Sequence, residues 1–242
     1  MNKLKCIDAL TMKLMAMFFM LLDHTWATVW DVPWFTMVGR LALPIFAFQI
    51  AEGFFQTSDR KNYMKRMLLF ALLSEIPFNL IAANNIFYPF HQNVMFTFLI
   101  ALLLMNWMEG AKVNPKKFIL VTVASVVLAY ALGLLLFVDY FHYGVFTVLV
   151  FYWTRNLKFG WVLQLLGLLY INDAIAGLQL TVNLFGQTVE FGQQMLAVLA
   201  LIPIWMYNGK QGYHSKIIQY LCYGFYPAHM LVLYVLAVIL YG

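Results

Sequence analysis

The chain has 242 residues, 64% of them hydrophobic and 10% charged, with a mean hydropathy of +0.79. Soluble domains carry roughly 25% charged residues, so a water-facing surface and a separate soluble catalytic domain are both excluded. The formal net charge of +5 matters less for its size than for where its fifteen Lys and Arg residues fall.

At about 20 residues per spanning helix, the chain has room for about nine or ten spans. Apolar windows place helices near 9–30, 35–55, 62–83, 93–109, 117–137, 142–154, 158–178, 193–207 and 216–241. Polar or turn-forming stretches separate them, notably 56–62, 84–92, 110–116 and 208–215. The basic start before Cys6 is like a signal-peptide n-region. However, Lys13 and the Asp23-His24 pair interrupt the apolar run and no small-residue cleavage site follows, so an uncleaved first span is expected. No internal repeat or flexible linker divides the chain, which predicts one integral-membrane domain over 1–242. The predicted fold is all-α: a polytopic membrane bundle of about nine transmembrane helices.

The cations orient that bundle. Lys3, Lys5 and Lys13 precede or open the first window, Arg60, Lys61, Lys65 and Arg66 follow the second, and Lys112, Lys116 and Lys117 follow the fourth. Arg155 and Lys158 follow the sixth window, and Lys210 and Lys216 the eighth. With nine spans every one of them lies on a single side, while Asp31, Asp139 and Glu190 occupy the opposite loops. The positive-inside rule makes the basic side cytoplasmic, with the N-terminus in and the C-terminus out. Arg40 alone breaks the segregation. An unpaired Arg in hydrocarbon costs at least about 2.5–3.5 kcal/mol, so it must face the bundle interior, a carboxylate or water.

Intramembrane polar candidates are Asp23, His24, Arg40, Glu52, Glu75, Asp173 and His229, with Asn79 and Asn93 near the outer boundary. Ionisable groups at such depth are functional candidates because their alternative is pure cost. Asp23 and His24 lie about 100° apart around one helix, so they do not pair through their own helix. A membrane His can take or release a proton near neutral pH, as a general base requires. Glu75 and Asn79 share a helix face at i and i+4, with Arg40 or His24 as the expected partner. Pro44, Pro77 and Pro227 free the carbonyls of Arg40, Leu73 and Tyr223. Freed carbonyls need a protein or water partner, which suggests an opened, hydrated interior.

The 57–66 loop carries Arg60, Lys61, Lys65 and Arg66. Four close cations serve topology or anionic lipid, or clamp the phosphates of a nucleotide-like donor. No Walker loop or GxGxxG accompanies them. His91, His142 and His214 lack any metal spacing, and Cys6 and Cys222 lack CxxC spacing, so neither a metal nor a disulfide is expected. Aromatic residues (seven Trp, fourteen Tyr, twenty-two Phe) suit interfacial belts and packing.

Four blocks together resemble the TraX family of membrane proteins: LLDHTW (21–26), GRLALPIFAFQIAEGFFQTSDRKNYMKRMLLFALLSEIPFNL (39–80), HQNVMFTF (91–98) and FYPAHMLVLY (225–234). They run from the first window to the last. The resemblance implies a multi-pass acetyltransferase of the prokaryotic inner membrane, using acetyl-CoA, embedded in lipid and with no nucleic-acid partner. On it His24 becomes the catalytic base or transient acetyl carrier, Asp23 its orienting neighbour, and Arg40 and Glu75 further catalytic groups. Glu52, Asn93 and His229 would line the acceptor cavity, and Arg60, Lys61, Lys65 and Arg66 would hold the donor. A pilin N-terminus, another surface peptide amine, a glycan hydroxyl and a lipid headgroup all stay open as acceptor. A proton-coupled transporter and a non-enzymatic assembly factor are the competing readings.

Overall fold

The computed structural model describes residues 5–175, 177–184 and 187–242. Lys3 lies outside them, as does Ala176 in the seventh expected window. The helices are α1 (Ala9–Thr28), α2 (Pro33–Gly39), α3 (Ala42–Gln56), α4 (Arg60–Ala83), α5 (Val94–Ala111), α6 (Pro115–Leu135), α7 (Phe141–Thr154), α8 (Gly160–Asp173), α9 (Leu201–Trp205) and α10 (Lys216–Tyr241). A hairpin, β1 (Gln179–Leu184) and β2 (Gln187–Gly192), precedes a 3-10 segment, Gln193–Ala200, that runs into α9.

Each expected window contains a helix, and the polar breaks supply the caps. Asp8 accepts from Thr11 N at 2.8 Å to open α1, and that hydrogen bond holds its carboxyl below the usual range. Asp59 caps α4, Asn93 caps α5, Asn114 caps α6 ahead of Pro115, and Ser215 caps α10. Each side-chain oxygen answers an amide that the helix start leaves unpaired.

Two departures have physical causes. The second window is broken into α2 and α3 at Arg40-Leu41. Pro44 has no N–H to return to Arg40, so the ladder opens there. The all-helical expectation also needs correction over 179–192, where β1 and β2 pair antiparallel in register from Gln179↔Gly192 to Leu184↔Gln187. Polar and apolar residues alternate through Gln179-Leu180-Thr181-Val182-Asn183-Leu184, which is a strand period rather than a helical one.

Among the described residues, five helices are long and apolar enough to cross a membrane: Pro33–Gln56 taken through its turn, Arg60–Ala83, Val94–Ala111, Pro115–Leu135 and Lys216–Tyr241. Lys13, Asp23 and His24 dilute α1. Helices α7 and α8 have 14 residues each, or about 21 Å at 1.5 Å per residue. A hydrocarbon core is about 30 Å thick.

The described chain divides into two compact units. One comprises Met1–Phe46 and Thr154–Gly212, the other Ala47–Trp153 and Tyr213–Gly242. In the first, α1 packs on α2 and the 3-10 segment packs on α8. The chain before α1 is tied to that after α9 by Ile7 N to Met206 O (3.1 Å) and Asn208 N to Ile7 O (2.9 Å). Met12, Ala16, Leu168 and Leu201 fill its core. In the second unit α4 lies against α5 and α10, and α5 against α6. Phe54, Leu102, Met105, Met108, Leu149 and Met230 are sealed inside it.

Gly133 on α6 lets the start of α7 approach closely, because a Cβ there would overlap the backbone of His142 and Phe141. Backbone cannot swing aside as a side-chain tip can. Gly133→Ala should therefore cost about 1–3 kcal/mol, read as a lower midpoint in a detergent thermal melt. Gly110→Ala, in α5 with no atom within 4 Å of its Cβ site, should leave the midpoint unchanged or raise it.

Candidate functional site

In the first unit a chain of polar side chains joins three separate stretches of sequence. Asp23, in the last third of α1, accepts from Thr36 Oγ1 at 2.8 Å and from Arg40 Nη2 at 2.9 Å, both through Oδ1. Thr36 sits one turn before Arg40, so its hydroxyl also accepts from the guanidinium, through Nε at 3.2 Å and Nη2 at 2.5 Å. Arg40 Nη1 donates to Gln194 Oε1 at 3.4 Å. Gln194 Nε2 donates to Asn172 Oδ1 at 3.0 Å, and Asn172 Nδ2 to Leu168 O at 2.8 Å. Asn172 must present its oxygen to Gln194 because its nitrogen is committed to a carbonyl, and Gln194 then presents its own oxygen to Arg40. Each amide orientation is set by the one behind it.

The Arg40 and Asp23 side chains are only 19% and 18% exposed, and Gln194, Asn172 and Thr36 are buried. Gly39 makes the approach possible, since a Cβ there would overlap the Asp23 side chain. His24 follows Asp23 in α1 and is half-buried. Thr28 Oγ1 donates to the His24 carbonyl at 2.6 Å and Thr25 Oγ1 to the Leu21 carbonyl at 2.7 Å. The arrangement pairs Asp23 with Arg40 through a shared Thr36 hydroxyl, and His24 is the next residue along α1. Gln194, Asn172 and Thr36 were not among the expected site residues. The Gln193-Gln194 pair opening an otherwise apolar window was the available signal.

In the second unit Glu75 finds a partner that sequence reasoning had placed elsewhere. It pairs with Asn93, whose Nδ2 donates to Glu75 Oε2 at 2.6 Å and to Ala71 O at 2.9 Å. Asn93 Oδ1 meanwhile accepts from Met95 N at 3.1 Å. Asn93 thus spends its amide on two helices, and it is fully buried. Glu75 Oε1 is buried with no hydrogen-bond partner. Asn79, one turn on, donates to Ile86 O at 3.3 Å.

His91, expected only as a loop residue, contacts Asp139 at 3.3 Å through Nε2 and meets the Phe78 ring edge-on at 4.9 Å. The hydrogen bond to Asp139 raises the His91 pKa above its ordinary value. His229 is buried, with Nδ1 2.8 Å from its own helix's Phe225 carbonyl and its ring stacked on Phe225. Asp173, in the first unit, closes α8 and is exposed.

The four cations expected to hold a donor divide by environment. Arg60 lies over the Phe54 ring at 4.1 Å and donates to the Phe54 carbonyl at 3.4 Å. Arg66 is half-buried beside Tyr223. Lys61 and Lys65 are exposed. Glu52 is half-buried on α3. A further cluster was not foreseen: Glu109 accepts from Tyr152 Oη at 2.9 Å and pairs with Lys112, while Tyr152 stacks on Phe55 at 5.6 Å. Among the described residues no group of three His, Cys, Asp or Glu side chains could hold a metal ion.

Two outcomes follow from these contacts. Arg40→Leu leaves Asp23 part-buried without its countercharge and should cost about 3–5 kcal/mol. The double variant Asp23→Leu/Arg40→Leu should melt closer to wild type than Arg40→Leu does. The raised His91 pKa means that protonated His91 stabilises the fold below its ordinary titration range. That contribution is lost as pH climbs through the raised folded-state value. The melting midpoint should accordingly fall between about pH 6 and 8, and Asp139→Asn should flatten the fall.

The family of TraX protein matches residues 9–237. The chain is also 27% identical over 245 residues to a probable fimbrial assembly protein FimC, serogroup H1, of Dichelobacter nodosus, covering 93% of this chain and 94% of that one. No solved structure matches.

Proposed function

The chain belongs to the TraX family, and on that premise we propose that it is a membrane-embedded acetyltransferase, moving an acetyl group from cytosolic acetyl-CoA to an amine or hydroxyl acceptor at the cell surface. The observation that carries the reading is the Asp23–Thr36–Arg40 group, whose Asp23 immediately precedes His24 on α1. Holding a charge pair and two buried amides in an apolar unit is costly. That cost is understandable where an adjacent imidazole must be oriented in a fixed field.

In this reading His24 takes the acceptor's proton while the acceptor attacks the thioester carbonyl. The carbon–sulfur bond breaks, and the CoA thiolate leaves and regains a proton. If His24 itself carries the acetyl group, the same bonds exchange in two steps. Asp23 orients the imidazole region, and Arg40 contributes positive potential towards the developing oxyanion. Lys61 and Lys65, both exposed, meet the CoA phosphates first, with Arg60 and Arg66 behind them. Glu52, Glu75, Asn93 and His229 serve the acceptor side. Nine spans, with the basic loops cytoplasmic, the N-terminus in and the C-terminus out, would admit the donor from the cytosol through the inner membrane. The name of the Dichelobacter relative favours a fimbrial or pilus subunit as acceptor.

The same name also favours a second reading, a membrane assembly factor without catalysis. The two separate on turnover. Purified protein in detergent or nanodiscs should transfer label from acetyl-CoA, and His24→Ala should lower the rate by about 10²–10⁴-fold with an unchanged melt. Wild-type protein that binds a pilus subunit but consumes no acetyl-CoA would support the assembly factor. Replacing Arg60 and Lys61 with Gln should raise the KM for acetyl-CoA several-fold at fixed ionic strength, as expected for lost phosphate contacts. An unchanged KM would return both residues to topology alone.

A further inference from the structure

Helices α4 and α10 run in the same direction through the second unit. Phe70 stacks on Tyr223 at 4.8 Å near their starts, and Tyr234 Oη donates to Asn84 Oδ1 at 3.0 Å just past the end of α4. Both starts are basic. Arg60, Lys61, Lys65 and Arg66 fall in the first turns of α4, and Lys216 opens α10. Apart from the capping Asp59, no acidic residue precedes Glu75 on α4, and α10 has none.

Arg66 differs from the other cations in its surroundings. Lys61 and Lys65 are exposed. Arg60 is taken up by the Phe54 ring and carbonyl and acts electrostatically on Glu109. Arg66 is half-buried, and its neighbours are neutral. The Tyr223 hydroxyl is hydrogen-bonded to it, and buried Tyr63 lies within electrostatic reach of both. Gly53 on α3 admits Tyr63, since a Cβ there would stand 3.1 Å from Tyr63 Oη. Arg66 Nε is buried and has no hydrogen-bond partner among the described residues. The salt bridges among those residues belong to Arg40, His91 and Lys112. No carboxylate among them pairs with Arg66.

A part-buried charge without a counter-ion is costly. Arg40 meets that cost with Asp23, whereas Arg66 has only phenols. A guanidinium can only donate, so the Tyr223 oxygen accepts from it and the Tyr223 proton stays available to an acceptor. A planar donor fork with an added hydroxyl donor matches a phosphate.

The neighbouring surface decides which phosphate. Leu69, Leu73 and Ile76 follow Arg66 at i+3, i+7 and i+10 along its flank of α4, and they are 52%, 55% and 54% exposed. Helix α4 is long and apolar enough to cross a membrane, so this stripe suits hydrocarbon. Arg66 stands six residues beyond Arg60, or about 9 Å at 1.5 Å per residue. A headgroup layer is about 5–8 Å deep. With Arg60 at its water side, Arg66 reaches the edge of the acyl region.

We propose that Arg66 and Tyr223 form a binding site for an anionic phospholipid, its phosphate held between α4 and α10 and an acyl chain laid along Leu69, Leu73 and Ile76. The bound phosphate ties the basic ends of the two helices together. A zwitterionic lipid offers the same phosphate but adds an ammonium group, which Lys61, Lys65 and Lys216 repel. A soluble phosphate gains nothing from the apolar stripe. The site stands apart from acetyl transfer: Arg66, set behind the donor cations in that reading, has the lipid phosphate as its anion.

The test is native mass spectrometry of full-length protein in detergent, offered equal amounts of phosphatidylglycerol and phosphatidylcholine with identical acyl chains. Wild type should retain phosphatidylglycerol over phosphatidylcholine by about tenfold, the scale of one charge-assisted hydrogen bond. Arg66→Gln should remove most of that preference. Tyr223→Phe, which keeps the ring that stacks on Phe70, should lower it several-fold and decides the matter if Arg66→Gln does not fold. A ratio taken on lipid-bound protein cancels differences in folded fraction. Lys65→Gln, exposed and one residue away, should lower the preference far less than Arg66→Gln. Equal losses in those two variants would mean general surface attraction and overturn the site, as would equal retention of both lipids by wild type. Millimolar acetyl-CoA should leave the ratio unchanged. If it abolishes the ratio, Arg66 belongs to the donor and the lipid assignment falls.

Discussion

A full positive charge inside an apolar helical unit must be neutralised, and much of the first unit's local architecture answers to that demand at Arg40. Asp23 supplies the countercharge at 2.9 Å. For the two to meet, α1 and α2 must approach so closely that only glycine fits at position 39. Thr36 then fills the remaining hydrogen-bonding capacity between them. The guanidinium has more donors than one carboxylate can satisfy, and Gln194 and Asn172 carry the surplus back to a helical carbonyl. Removal of one member would therefore be felt along the chain of contacts rather than at one pair.

Backbone satisfaction imposes the second constraint. Pro44, Pro77 and Pro227 each delete a donor, yet their consequences differ. Helices α4 and α10 run through Pro77 and Pro227, whereas the chain breaks into α2 and α3 ahead of Pro44. The difference lies in the neighbours. Gly39 and Arg40 stand at the point where the ladder opens, one with little helical preference and the other drawn towards Asp23. Around Pro77, Glu75 and Asn79 hold partners in or just beyond adjacent loops, and the helix keeps its course.

Helix positions were legible because apolar runs of the right length and capping residues carry them independently of tertiary contacts. Asp8, Asp59, Asn93, Asn114 and Ser215 stand at the starts of their helices as their side-chain chemistry requires. Arg40 was legible as an anomaly because it broke the charge segregation. Its partner Asp23 was a candidate but not assigned, since helix spacing fixes faces within one helix and says nothing about which helices meet. Glu75 shows the same limit: its partner came from the cap of α5 rather than from Arg40 or His24. Gln194 and Asn172 were invisible for another reason. Neutral amides draw no notice in a sequence search for ionisable groups, although burial makes an unsatisfied amide costly. The β1–β2 hairpin escaped because its alternation sat between two apolar windows, where Glu190 was placed only as a loop residue.

The two polar clusters are held by different means, and that difference bears on their chemistry. Asp23 sits on α1 and Arg40 caps the end of α2, where position is set by helix packing and each partner's rotamer is fixed by a neighbour. His91 and Asp139 sit on loops, where two backbone hydrogen bonds and three left-handed residues substitute for packing. A pair held by two packed helix ends suits a permanent charge arrangement that must not relax. A loop-borne imidazole, restrained at its backbone but open at its ring, can change protonation state without disturbing the fold around it. Proton exchange with solvent requires the second kind of support and a preset electrostatic field the first. The chain contains both.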